Sequence, residues 1–184
     1  MKTTSLIIAA LILAVSSVGL ADTPQEKTTP DSLVEQLLPF KPLLGKTWKG
    51  NVQEPGSKTP MIDVSHWERA LNGQAIRVLH SVNNGEYGGE TIIVWDPQKK
   101  GLVFFYFTTA GFFTQGTMTV ENGQFTSHEY VTGNQSGITE VKAVGEILPG
   151  GKLRSTAKFL KNGQWVDGHV IDYVQAPEAK VIFK

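Results

Sequence analysis

Four histidines, His66, His80, His128 and His169, are the side chains of this 184-residue chain best suited to moving protons or holding a metal. No two of them stand at the i, i+2 or i, i+4 spacing that puts two imidazoles on one side of a strand or a helix, so no local metal motif exists. The absence of cysteine excludes disulfides, thiol catalysis and thiolate metal sites. Ser65 and His66 are neighbours whose side chains leave a strand on opposite faces, which rules out a Ser–His pair. No phosphate loop or zincin motif is present. The residues left to consider are binding residues, with no catalytic set among them.

Alternation around His80 poses the first question. Gln74, Ile76, Val78, His80 and Val82 share one face, and Ala75, Arg77, Leu79 and Ser81 share the other. If the first face points inward, His80 lies in a cavity. If the second does, Arg77 is an inward cation that calls for an acidic partner or an anionic ligand. Simple alternation puts His169 with Trp165, Asp167, Ile171 and Tyr173. The run Leu102 to Phe107, which turns at Ala110-Gly111 into Phe112-Phe113, is apolar on both faces. Its inner side is formed either by Phe104 and Tyr106 together with Met118, or by Phe105 and Phe107. Its outer side needs a cover, from a helix at 33–38 or from a second subunit in a homodimer.

These residues sit on short runs rich in Val, Ile, Thr, Phe, Tyr and Trp, separated by glycine and asparagine breaks that include four Asn-Gly pairs. The runs predict ten strands, at 47–53, 61–70, 74–82, 90–96, 102–109, 112–120, 124–131, 138–148, 152–161 and 164–175. No crossover helix lies between them, so the pairing is antiparallel. A ten-stranded meander removes its two exposed edges by closing, which predicts an all-β up-and-down barrel wider than an eight-stranded one. A two-sheet sandwich is the competing architecture. Before the strands, Ser32 and Glu35 form a capping-box pattern, Leu33, Val34, Leu37 and Leu38 share a face, and Pro39 ends the predicted helix.

The first 21 residues read as a secretory signal peptide. Lys2 precedes the apolar run Leu6 to Val15, and Gly19-Leu20-Ala21 offers small residues for cleavage near Ala21. The run is short for a membrane span, so no stable insertion is expected after cleavage. Residues 22–31 are a polar, proline-bearing leader, 32–176 the barrel domain and 177–184 a C-terminal tail. Export to a periplasm or to the exterior follows from the leader. With 17 basic against 17 acidic residues, nothing favours nucleic acid or an anionic membrane.

Thr47-Trp48-Lys49-Gly50 resembles the opening of lipocalin-like (calycin-type) barrels, and in particular an uncharacterised bacterial family of secreted lipocalin-like domains. Ala70-Leu71-Asn72-Gly73 is similar to that family's turn between the second and third strands, and Trp95-Asp96-Pro97 to its turn after the fourth. The width of a ten-stranded barrel, the aromatic hairpin and the lack of a catalytic set point to a cavity for a small apolar or amphipathic ligand, with no cofactor expected. Trp48 and Gly50 are then structural, Trp48 plugging the closed end while its N–H meets a carbonyl. Arg77, His80, Phe104, Tyr106, Met118 and His169 are the candidate ligand contacts. More distantly the chain resembles nitrobindins, whose barrels carry haem on a histidine; that likeness would give the role to His169 or His80.

Overall fold

The computed structural model describes residues 32–184 apart from 54, 57, 60, 134 and 135. The signal peptide and leader expected at 1–31 lie outside the described residues. Ten strands follow in sequence: β1 (Lys46–Gln53), β2 (Met61–Ala70), β3 (Ala75–Val82), β4 (Tyr87–Asp96), β5 (Gly101–Thr108), β6 (Phe113–Glu121), β7 (Gln124–Tyr130), β8 (Ile138–Leu148), β9 (Lys152–Lys161) and β10 (Gln164–Gln175). Each pairs antiparallel with its neighbours in the chain, and β1 pairs with β10 to close the barrel. Closure leaves no free edge, which decides against the sandwich.

Two tight turns show why the Asn-Gly pairs predicted hairpins. Asn122 and Gly123 have φ of 51° and 80°, and Asn162 and Gly163 have 51° and 76°. That pair of left-handed residues matches the twist of the strands it joins. Glycine plays another part in β4, which begins three residues before its predicted start. Gly88 and Gly89 pair with Ser81 and His80, and a Cβ on Gly88 would come within 2.4 Å of the His80 carbonyl oxygen. Here glycine marks close packing inside a strand, where the sequence suggests a break. Gly50 does the same work in β1: a Cβ there would lie 2.6 Å from Ile171 and 3.0 Å from the ring of Tyr173.

The segment before β1 departs from expectation. It is a 3-10 helix over Glu35–Leu43, with Val34 at its N-cap, no side-chain cap, and Pro39 and Pro42 inside it. Each proline lacks an N–H, which interrupts an α-helical ladder and leaves the tighter turns. Leu37, Phe40 and Leu43 are fully buried and plug one end of the barrel against Trp48, Ile76, Ile93, Leu102, Phe125 and Leu153. This helix therefore does not cover the outer aromatic face of β5 and β6, where Phe105, Phe107 and Phe113 are exposed. Trp48 sits at the plugged end, as its position suggests, yet its Nε1 has no hydrogen-bond partner among the described residues. Strand carbonyls point along the sheet to neighbouring strands, so an indole N–H directed into the barrel does not find one.

The C-terminal residues are packed against the barrel. The Ile182 amide donates to Ser81 Oγ at 3.0 Å, and a Cβ on Gly85 would come within 2.7 Å of the Ile182 carbonyl oxygen. Ser81 points outward from β3 and is nonetheless only 2% exposed. The tail is a strap over the β3–β4 hairpin.

Candidate functional site

The barrel is hollow above its plug. A cavity of about 710 Å³ opens between the hairpin ends opposite the 3-10 helix. Its floor is Trp67, Val78, Ile93, Phe104 and Met118, and Phe112, Val131, Ile138 and Phe159 ring the upper part. A smaller hollow of about 210 Å³ continues below, past Ser65 and Asp63 toward Leu43. Glycine again makes room for the lining: Phe104 lies across Gly116, whose Cβ would stand 2.6 Å from that ring, and Tyr106 lies against Gly89, at 2.5 Å.

The structure settles the faces that alternation leaves open. His80 points inward with Val78, so Arg77 points outward. Arg77 is consequently not a cavity residue. It lies between two outer-face carboxylates, with Nε 2.9 Å from Glu90 and Nη1 2.9 Å from Glu68. The Glu90 hydrogen bond raises its already high pKa, opposed by partial burial and helped by Glu68. An arginine so paired on the surface contributes little stability. Phe104, Tyr106 and Met118 line the cavity, and Phe105 and Phe107 face outward.

His169 also lines the cavity, edge-on to Phe159 at 5.7 Å between ring centres. Its expected companions Trp165 and Asp167 do not. The β9–β10 register shifts between Asp167 and Val170, and this bulge reverses the facing of the strand. Trp165 is outside, under the Lys142 ammonium at 4.6 Å, and Asp167 pairs with Lys158. The remaining histidines serve the outer wall: His66 meets Thr47 Oγ1 at 3.0 Å and His128 meets Glu140 at 2.6 Å.

One wall of the cavity carries a continuous hydrogen-bonded line. Tyr173 on β10 donates to Asp63 Oδ2 on β2 at 2.7 Å, and Asp63 Oδ1 takes His80 Nδ1 on β3 at 2.7 Å. His80 Nε2 stands 2.7 Å from the hydroxyl of Tyr106 on β5, which is 3.1 Å from that of Tyr87 on β4. Asp63 is 2% exposed, so these partners are what make its burial tolerable. Burial and the neighbouring Asp63 charge push the Tyr173 hydroxyl well above the ordinary tyrosine range. Burial lifts Tyr106 likewise, with Tyr87 next in effect. Both stay protonated and able to donate. A carboxylate that fixes one ring nitrogen orients the imidazole and leaves the other to bond the Tyr106 hydroxyl.

Glu129 on β7 completes the wall. Its Oε1 accepts from Thr114 Oγ1 on β6, the only hydrogen bond to the Glu129 side chain among the described residues. Burial raises its pKa, opposed by the Thr114 bond and by His80. No lysine or arginine lines this cavity among the described residues.

No family model matches the sequence, and no curated protein is significantly similar to it.

The three short motifs on which the resemblance rests fall at the start of one strand and in two turns. Thr47 to Gly50 open β1, Leu71 to Gly73 turn β2 into β3, and Asp96 Oδ1 accepts the amides of Gln98 and Lys99 in the turn after β4. The nitrobindin resemblance would give haem to one of two cavity histidines. Of the two histidines that resemblance offers, His80 has both ring nitrogens engaged, which leaves His169, beside Phe159, as the one that would hold the iron. Asp63, Tyr87, Thr114, Glu129 and Tyr173 belong to the site and were not singled out by the sequence.

The raised pKa of Glu129 yields a stability prediction. The stability tied to this group is whole below its unfolded value and is lost as pH climbs through the higher folded value, where a desolvated charge must be carried. Glu129→Gln removes that charge. The variant is expected to match the wild type near pH 4 and to exceed it at pH 8 by about 1 kcal/mol, or about 2–4 °C. Thermal melts across that range check it; a gap that widens toward acid pH contradicts it.

Proposed function

We propose that the chain is an exported carrier of the lipocalin-like type, holding a small apolar or amphipathic molecule in its barrel. The observation that supports this reading is the cavity of about 710 Å³, apolar in floor and rim with a polar wall on one side. Its size lies in the range of small-molecule sites, about 300–1,000 Å³. An interior that could be filled by larger side chains is instead kept open, with glycines placed so that aromatic rings lie flat against the wall. Export rests on the leader sequence, whose removal near Ala21 would leave the barrel domain in the periplasm or outside the cell.

The neutral fluorophore N-phenyl-1-naphthylamine tests the reading. The wild-type protein should bind it saturably, with emission shifted to the blue. Met118→Trp, which adds bulk to the floor, should weaken binding by about 10-fold or more while the protein still unfolds cooperatively. No saturable binding by the wild type removes the carrier role. Equal binding by Met118→Trp places the probe outside the barrel, with the same consequence.

A further inference from the structure

We infer that the cavity selects its ligand by a protonated amine, the apolar portion resting on Val78, Ile93 and Met118 and the ammonium held by Glu129 beside the rings of Tyr87 and Tyr106. This rests on the carrier reading and names the chemical class of its ligand. The argument begins with charge. The cavity wall carries two carboxylates, Asp63 and Glu129, and no lysine or arginine among the described residues. Asp63 is already committed to Tyr173 and His80. Glu129 is not, having a single donor in Thr114. A carboxylate held away from water without a cation is unfavourable, and a ligand that brings the cation relieves it.

Placement agrees with charge. Thr114 opens β6, Glu129 nearly ends β7, Tyr87 opens β4, and Tyr106 lies toward the end of β5, so all four lie toward the open mouth. Val78, Ile93 and Met118 lie toward the plug. An amphipathic molecule thus enters tail first and leaves its head at the acidic wall. Tyrosine faces attract ammonium groups further. The groups facing Glu129 are His80 from β3, Tyr87 from β4, Tyr106 from β5 and Thr114 from β6. On its other side Val141 of β8 is paired with Glu129 and Phe159 of β9 with Val141, and His169 of β10 lines the cavity beyond them. His80 is the facing group able to offset the Glu129 charge, and Asp63 at 2.7 Å holds much of that capacity. A fatty carboxylate would meet Glu129 with no arginine to receive it. Burial also favours the protonated form of Glu129, so amine recognition strengthens as pH rises.

Competition against N-phenyl-1-naphthylamine by dodecylamine, dodecanol and dodecanoate, below their micelle concentrations, tests this. At pH 7.5 dodecylamine should compete at about 10-fold or more lower concentration than dodecanoate, with dodecanol between them. Its advantage should shrink at pH 5. Glu129→Gln should bring the amine-to-alcohol ratio close to one while the protein still unfolds cooperatively. Dodecanoate equal to or better than dodecylamine overturns the inference, as does an amine preference that survives Glu129→Gln. If the dye and dodecanol bind without any advantage for the amine, the head-group inference alone falls. If neither binds, the carrier reading falls with it.

Discussion

Phe40→Ala should cost the protein about 3–5 kcal/mol, lowering its melting temperature by roughly 10 °C. Phe40 is fully buried, and its ring is stacked on Phe125 at 4.9 Å and on Trp67 at 6.2 Å. It belongs to a helix whose own hydrogen bonding is weakened by two prolines. The helix is held by what it buries, and Phe40 is the largest of its three fully buried side chains. Truncation leaves a hole between Trp67 and Phe125 that strands tied into a closed barrel have little freedom to fill. Phe40→Leu, which retains much of the volume, should cost well under half as much. Paired thermal and denaturant unfolding of the three proteins decides the matter. Similar loss from both variants would show that ring stacking, and not filled volume, keeps the plug in place.

How much of this was legible in the residues depends on the range of the interactions. Strand number and antiparallel order follow from period-two alternation and Asn-Gly turns, which are local. The 3-10 helix shows the limit of a local pattern: Ser32 and Glu35 satisfy a capping-box spacing, yet Pro39 and Pro42 and the demands of the barrel end decide the conformation. His169 shows a second limit. Alternation assigns it the company of Trp165 and Asp167, and one bulged residue in β10 separates them. The polar line mixes both cases. A hairpin turning at 71–73 places Ser65 opposite His80, so Asp63, two residues along on the same face, was within reach of register reasoning. Tyr173 reaches Asp63 only because β10 closes on β1, a contact spanning 110 residues. Glu129 on β7 feels His80 on β3 across three intervening strands. Such meetings are fixed by closure and leave no mark in local spacing.

Asp63→Ala should be the most damaging change within the polar line, destabilising the protein by about 3–5 kcal/mol. The carboxylate is nearly inaccessible and accepts from two groups, so its loss leaves the Tyr173 hydroxyl and His80 Nδ1 without their acceptor. Asp63→Asn separates charge from shape. The amide fills the same volume and its oxygen can still accept from Tyr173, while its NH2 group donates to His80 Nδ1. That donation obliges His80 to carry its proton on Nε2, pointing at Tyr106, the reverse of the tautomer Asp63 imposes on the neutral ring. Asp63→Asn should therefore lose only about 1–2 kcal/mol. Nitrogen-15 NMR of the imidazole should show protonated Nδ1 in the wild type replaced by protonated Nε2 in the variant. If the tautomer does not change, Asp63 does not orient His80, and the line from Tyr173 to Tyr87 is a set of separate contacts with no shared direction.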